Sequence, residues 1–411
     1  MRIRALAISA AVVSFSMPGF AAAQQQDLRI PTQRDALVIN AGLGFERHSN
    51  IFARDDAFDP TPTYGKSSRS DTVLRGQVGV SFDRDVSLQR FQLNAEIEPT
   101  KFLEYSRFDH VAVRAGANWD WAIGRAWFGT LGVRYEHRLA GFDTYQGADK
   151  NMVDLTKAYF TAGMRLTPDW AIIAGVDDQR VKYSVAAVSY ADYNLLGGEI
   201  GVRYARGNQS NFDIVARHVK GEFPNLQTTN SVGAVITPLD NGFKEDSLQL
   251  RVGVRPSSES SLEGFVGYAS RKYDNIPSRD FSGAIAGLTV AWAPSGAFRM
   301  QVQLQKELNP DNILIGNHVD ATVLRLRPTI QLTGKTALVG LATVAQYKYS
   351  GDAGGGIQRK DDLTDLGIGA VYDYARNIQI RLDAKRTHRK SNIAAFEYTD
   401  NVLSGSVNLR F

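Results

Sequence analysis

The sequence predicts an all-β protein: a transmembrane, antiparallel, up-and-down β-barrel of about 18 strands, with 16 as the alternative count. Three observations lead there. Apolar and polar residues alternate with a period of two through most of the chain, as strands whose two faces meet different surroundings require. Tight turns alternate with long polar connections, which puts short turns at one end of a barrel and longer loops at the other. All five tryptophans lie within a few residues of a tight turn, where a water–hydrocarbon boundary would gather them.

The chain opens with MRIRALAISAAVVSFSMPGFAAAQQQ. Arg2 and Arg4, an apolar run from Ala5 to Phe15 and the small residues Ala21 to Ala23 have the three-part layout of an export signal. Residues 1–23 are therefore expected to be removed, 24–35 to form a short periplasmic segment and 36–411 to make one barrel domain. The expected location is the outer membrane of a Gram-negative bacterium. Beyond the signal, the longest uninterrupted apolar stretch, ALVGLATVA at 337–345, is about half the roughly twenty residues that a spanning helix needs.

The expected strands are, in order, 36–46, 71–83, 86–98, 107–121, 126–137, 153–166, 170–184, 191–206, 211–220, 246–256, 261–273, 280–294, 297–308, 319–333, 336–349, 361–374, 378–390 and 399–411. Four show the alternation most clearly. VAVRAGANWDW sets Val111, Val113, Trp119 and Trp121 against Arg114, Asn118 and Asp120, and LQLRVGVR sets Leu248, Leu250, Val252 and Val254 against Gln249, Arg251 and Arg255. FRMQVQLQ opposes Phe298, Met300, Val302 and Leu304 to Arg299, Gln301, Gln303 and Gln305, and IQIRLDAK opposes Ile378, Ile380, Leu382 and Ala384 to Gln379, Arg381, Asp383 and Lys385. The last strand ends on SVNLRF, with Val407, Leu409 and Phe411 on one face. A terminal aromatic on such a strand resembles the signal read by the bacterial barrel-assembly machinery.

Tight turns are expected at DRD (83–85), AIGR (122–125), TPD (167–169), PSSES (256–260), APSG (293–296), TGK (333–335) and ARN (375–377). Longer connections span 47–70, 138–152, 221–245 and 350–360. Both chain ends then fall on the periplasmic side. Trp119, Trp121, Trp127, Trp170 and Trp292 would form an aromatic girdle at the short-turn end, with Tyr204, Phe212, Tyr372 and Tyr374 level with them. Tyr135, Tyr183, Tyr268, Tyr349 and Tyr398 would form the opposite girdle.

Residues alternating away from hydrocarbon would line a lumen. The candidates are Arg75, Arg90, Arg114, Arg134, Arg251, Arg255, Arg299, Gln301, Gln303, Gln305, Arg325, Arg327 and Arg381, interspersed with carboxylates such as Glu96, Asp120, Asp177, Glu199, Asp365 and Asp383. Charges held away from water without partners cost several kcal/mol each, so such a wall must be wet. A barrel of about eighteen strands is wide enough for an aqueous passage.

With 47 basic and 43 acidic residues the chain lacks the concentrated basic face of a nucleic-acid binder. The mean hydropathy of -0.24 is compatible with a barrel, because only alternate residues meet lipid. Cysteine is absent, which removes disulfides, thiolate metal sites and thiol nucleophiles. The six histidines form no HExxH-type pair and sit in no hydrolase signature, so neither catalysis, a metal nor a cofactor is expected. The glycines of GDAGGG (351–356) follow no strand into a helix and read as loop flexibility; DDAFD (55–59) and KEDS (244–247) read as solvated loop charge rather than a cation site.

The stretch RSDTVLRGQVGVSFDRDVSLQRFQLNAEIEPTKFLEYSRFDHVAVRAGANWDW (69–121) resembles the EpsL-like outer-membrane proteins of bacterial exopolysaccharide biosynthesis clusters, within the broader β-barrel porin class. RDFSGAIAGLTVAWAPSGAFRM (279–300), RKSNIAAFEYTDNVLSGSVNLRF (389–411) and SNIFA (49–53) are similar in style. The resemblance implies a channel that passes a polysaccharide chain across the outer membrane, with outer-membrane lipid around it and periplasmic export components as partners. It carries no catalytic or ligand residues onto this sequence. Two other readings stand beside it: a general diffusion porin for small hydrophilic solutes, and a surface structural or adhesion barrel whose loops meet partners outside the cell.

Overall fold

Eighteen strands form one closed antiparallel sheet. The computed structural model describes residues 37–411 apart from 207–209, 226, 230–234, 239–241, 258, 276, 278–279, 310–317 and 351–357. The expected signal (1–23), the segment 24–35 and GDAGGG lie outside the described residues. The first nine strands are β1 (Leu37–His48), β2 (Asp71–Val86), β3 (Gln89–Phe102), β4 (His110–Ile123), β5 (Trp127–Leu139), β6 (Met152–Arg165), β7 (Trp170–Tyr183), β8 (Tyr193–Arg206) and β9 (Ser210–Glu222). A separate two-stranded ribbon, β10 (Gln227–Thr229) with β11 (Val235–Pro238), follows. The sheet resumes with β12 (Phe243–Val254), β13 (Ser261–Tyr273), β14 (Phe281–Ser295), β15 (Phe298–Asn309), β16 (His318–Gln331), β17 (Thr336–Ser350), β18 (Lys360–Ala375), β19 (Ile378–Ser391) and β20 (Tyr398–Arg410).

Each strand pairs with its neighbour in sequence, β9 pairs with β12, and β1 pairs with both β2 and β20. The eighteen-stranded sheet is left with no edge to template another chain. At the seam, Ile39 N–H donates to the Phe411 carbonyl at 2.9 Å and Phe411 N–H donates to the Ile39 carbonyl at 2.8 Å.

The register keeps the two faces apart along the whole circuit. Leu43 stands opposite both Gly76 and Val407, Val78 opposite Ile97, and Leu250 opposite both Ile214 and Val266. These large apolar side chains are exposed, Leu43 to 74% and Leu250 to 48%. An apolar face continuous over a whole barrel is a face built for hydrocarbon. One residue along, Arg75 stands opposite Gly44 and Thr100, and Arg251 opposite Asp213 and Phe265. A slip of one residue would exchange the faces of a whole strand, so the pattern itself fixes the register.

Three details depart from the sequence expectation. Asp83-Arg84-Asp85 continues β2 instead of turning, because the reversal falls on Ser87 and Leu88, where Ser87 takes a left-handed φ of 57°. KEDS belongs to β12 rather than a loop: Glu245 bonds Arg271 and Asp246 bonds His218 across the neighbouring strands. Tyr183, Tyr349 and Tyr398 do not share a face with Tyr135 and Tyr268. Tyr349 and Tyr398 are buried under the Arg359 and Arg389 guanidiniums, at 4.5 and 5.4 Å from the ring centres, so the inner side holds them as cation–π partners. Their level on the barrel suits a girdle, but their parity is that of the buried, inward-facing Ala345 and Val402.

The tryptophans cluster at the short-turn end on the outward face. Trp119 stacks on Phe91 and Trp121 on Phe160, each with ring centres 6.0 Å apart; Trp170 lies 5.0 Å from Tyr204 and Trp292 5.9 Å from Phe298. Trp127, which follows the turn at Gly124, is also exposed. Gly129 leaves room for the Trp121 indole: a Cβ there would come within 2.5 Å of the ring.

Candidate functional site

The inner wall is a lattice of cross-strand ion pairs, because the period-two pattern delivers Arg, Asp and Glu to the same face of adjacent strands. Arg75 reaches Glu46 on β1 and Glu98 on β3, both at 3.0 Å. Arg114 on β4 bonds Glu96 and, at 3.1 Å, Glu98. Gln77 donates to Glu96 at 3.0 Å, and Arg90 makes a two-pronged bond to Asp83 at 2.8 and 2.6 Å. Arg134 bonds Glu136 and Arg381 bonds Asp383, each two residues along its own strand.

A second knot spans β7 to β12. Arg217 holds Asp177 at 2.7 Å and Glu199 at 3.3 Å, while Arg251 grips Glu199 with two N–H groups at 3.1 and 2.9 Å. Arg203 and Asp213 form a planar pair at 2.8 and 2.7 Å. Such two-pronged guanidinium–carboxylate contacts fix geometry as well as charge. Arg255, just past β12, lies 3.6 Å from Glu263.

From β14 to β17 the wall changes character. Gln301, Gln303 and Gln305 stand opposite Ala291, Thr289 and Gly287 on one side, and Arg327, Arg325 and Val323 on the other. Arg299 is two residues further down the same face. Arg325 Nε contacts Thr343 Oγ1 at 3.4 Å. Neither Arg325 nor Arg327 forms an ion pair with a carboxylate among the described residues, and Gln301, Gln303 and Gln305 lie beside them on the same face. All thirteen sequence-derived wall residues thus lie on the same side as the ion-pair lattice, in two zones, one charge-balanced and one cationic and amide-rich.

At the long-loop end the inner side turns apolar. Phe52 stacks on Tyr64 at 4.3 Å and meets Tyr105 at 4.8 Å and Phe142 at 5.7 Å, over Phe102 and Phe108. The connection 140–151 is drawn into this floor. Phe142 packs on Phe108 at 4.8 Å, Tyr145 packs on the cluster of Leu155, Val181, Tyr193 and Phe243, Arg54 donates to Gln146 at 3.0 Å, and Tyr64 O–H donates to the Gly147 carbonyl at 3.2 Å. Burial pushes the phenols of Tyr64 and Tyr145 above their ordinary range. Asp143 in turn accepts from Arg389 Nη2 on β19 at 3.3 Å. The connection therefore bridges the mouth of the barrel. The sequence predicts a polar connection here, and Phe142 and Tyr145, two aromatics in a polar run, are the signal that it packs inward. Asp143 and Arg389 were not among the candidates, because each is the other's partner across 246 positions of sequence.

Residues 179–411, more than half of the chain, match the family model described as "Putative beta-barrel porin 2". The chain is similar to the outer membrane protein OpdK of Pseudomonas aeruginosa, with 13% identity, 91% of this chain and 99% of that chain covered and a TM-score of 0.46. It is similar to OccK9 (OpdG) of Pseudomonas aeruginosa, with 11% identity, coverage of 91% and 98% and a TM-score of 0.48. It is also similar to OccAB3 of Acinetobacter baumannii, with 10% identity, coverage of 91% and 99% and a TM-score of 0.45. None of the curated proteins matches it.

Proposed function

The chain belongs to the family described as "Putative beta-barrel porin 2", and from that membership we propose an outer-membrane channel through which small hydrophilic solutes diffuse, with a preference for those bearing a carboxylate or another anionic group. The cationic, amide-rich zone of Gln301, Gln303, Gln305, Arg325 and Arg327 carries this reading. Arg75, Arg114, Arg217 and Arg251 are matched by fixed carboxylates, whereas Arg325 and Arg327 make no ion pair among the described residues and keep planar donors for a solute's oxygens. Passage is passive: many weak contacts replace the solute's hydration and none holds it. The connection 140–151 narrows the mouth and excludes bulky solutes.

The same reading takes 1–23 as the export signal, 24–35 and both chain ends as periplasmic, and the long loops as extracellular. Trp119, Trp121, Trp127, Trp170 and Trp292 anchor the barrel at the periplasmic lipid boundary, and Phe411 is the residue offered to the barrel-assembly machinery. The test is purified protein in a planar bilayer under a salt gradient. An anion-selective reversal potential is expected; a cation-selective or closed channel defeats the proposal.

A second reading, export of an exopolysaccharide, rests on the resemblance of 69–121, 279–300 and 389–411 to the EpsL-like proteins. Deleting the chromosomal copy and assaying cell-surface polymer decides it. Unchanged secretion, with no second copy to compensate, removes it.

A further inference from the structure

The outer wall is not uniformly apolar. Between β18 and β1, towards the long loops, an open-sided groove of about 760 Å³ runs along the barrel. Its sides are Leu366, Ile368 and Leu403, all more than half exposed, and its floor passes over Ala384. Two guanidiniums, Arg47 on β1 and Arg386 on β19, line its upper end. Register brings them together: Arg47 stands opposite Leu403 on β20, Leu403 opposite Ala384, and Arg386 opposite Asn401.

These two cations differ from others on the same outward face. Arg180 pairs with Asp178, Lys220 with Glu222 and His218 with Asp246, all towards the long-loop end. Arg47 instead donates to Thr72 Oγ1 at 3.1 Å and Ser70 Oγ at 3.0 Å, and among the described residues neither it nor Arg386 meets a carboxylate. Lys390 extends the positive rim, with Asp362 opposite it. A slot shaped for a hydrocarbon chain, capped by two cations without acidic partners at the depth of lipid headgroups, has the charge pattern of a site for an anionic, acylated lipid.

We propose that this groove binds a phosphorylated glycolipid of the outer leaflet, one acyl chain lying between Leu366, Ile368 and Leu403 and a phosphate held between Arg47 and Arg386. Only the orientation, long loops outward, is taken from the preceding reading; solute passage is not involved.

The test is native mass spectrometry of the detergent-purified full chain incubated with diphosphoryl lipid A, with the same lipid stripped of its phosphates, and with phosphatidylglycerol. One diphosphoryl lipid A is expected to stay bound through detergent removal. Arg47→Gln combined with Arg386→Gln should weaken its retention at least tenfold, and dephosphorylated lipid A should behave with wild type as the diphosphoryl lipid does with the double variant. Ala384→Phe, which fills the slot and leaves the guanidiniums, should weaken retention comparably; heat-modifiable gel mobility verifies that each variant is folded. Equal retention by wild type and either folded variant overturns the proposal, as does equal retention of phosphatidylglycerol or dephosphorylated lipid A. Bilayer conductance of the same samples should be unchanged by these substitutions, so lost lipid binding with intact conductance separates this site from the channel.

Discussion

Asp143, in the connection between β5 and β6, is joined at 3.3 Å to Arg389 on β19, although β20 and β1 to β4 lie between the two around the shorter arc of the barrel. A hydrogen bond over that arc can form only through the interior, so it records where the connection goes. Arg389 is itself seated against Tyr398 and lies 3.9 Å from Asp361.

Asp143→Ala should release this bridge. It leaves a donor of buried Arg389 unsatisfied, at a cost of about 1–3 kcal/mol. Single-channel conductance should rise and limited proteolysis should begin to cut within 140–151. Conductance equal to wild type would show that the connection does not narrow the path.

Leu250→Arg and Arg251→Leu contrast the two faces at adjacent positions. The first places a charge on the outward face at a cost of about 2–4 kcal/mol near the bilayer midplane. The second removes one partner of Glu199, but Arg217 still holds that carboxylate at 3.3 Å, so the loss should be smaller. Denaturant unfolding in lipid vesicles ranks them, and equal losses would mean that both faces meet the same solvent.

Arg325→Gln together with Arg327→Gln should move anion-over-cation permeability towards unity while leaving the fold intact, because neither guanidinium belongs to the ion-pair lattice. Reversal potentials measure it. Arg203→Gln should do the opposite: little change in selectivity, with a stability loss from the stranded Asp213 of about 3–5 kcal/mol if that carboxylate stays charged.

Phe411→Ala keeps the backbone bonds to Ile39, whereas deleting residue 411 removes both. The substitution should refold in detergent like wild type yet accumulate poorly in the outer membrane of cells; the deletion should also lose thermal stability in detergent. Normal cellular yield of Phe411→Ala would remove the terminal ring from any role in assembly.

Most of the barrel could be read from the chain because each strand carries its own two-solvent record: Leu248 to Arg255 alternates whether or not its neighbours are known. The wall candidates followed from the same parity. What escaped reading depends on relations between strands. The turn at Ser87 was hidden because Asp83 and Asp85, usual turn formers, serve as wall residues instead. Level alone suggests a girdle for Tyr349 and Tyr398, whereas parity within their strands puts them inward with Ala345 and Val402. The lack of an ion pair at Arg325 and Arg327 needs the register of neighbouring strands before it becomes visible, and the descent of 140–151 into the mouth leaves only Phe142 and Tyr145 as a trace.

The paired bonds between Ile39 and Phe411 also set an order of events. A ring whose seam joins β1 to β20 cannot be sealed until both strands have been made and the strands between them are paired. Until then every hairpin carries two raw edges and half of its side chains are greasy. Closure removes both open edges at once, so the conversion to a stable object is a single late step.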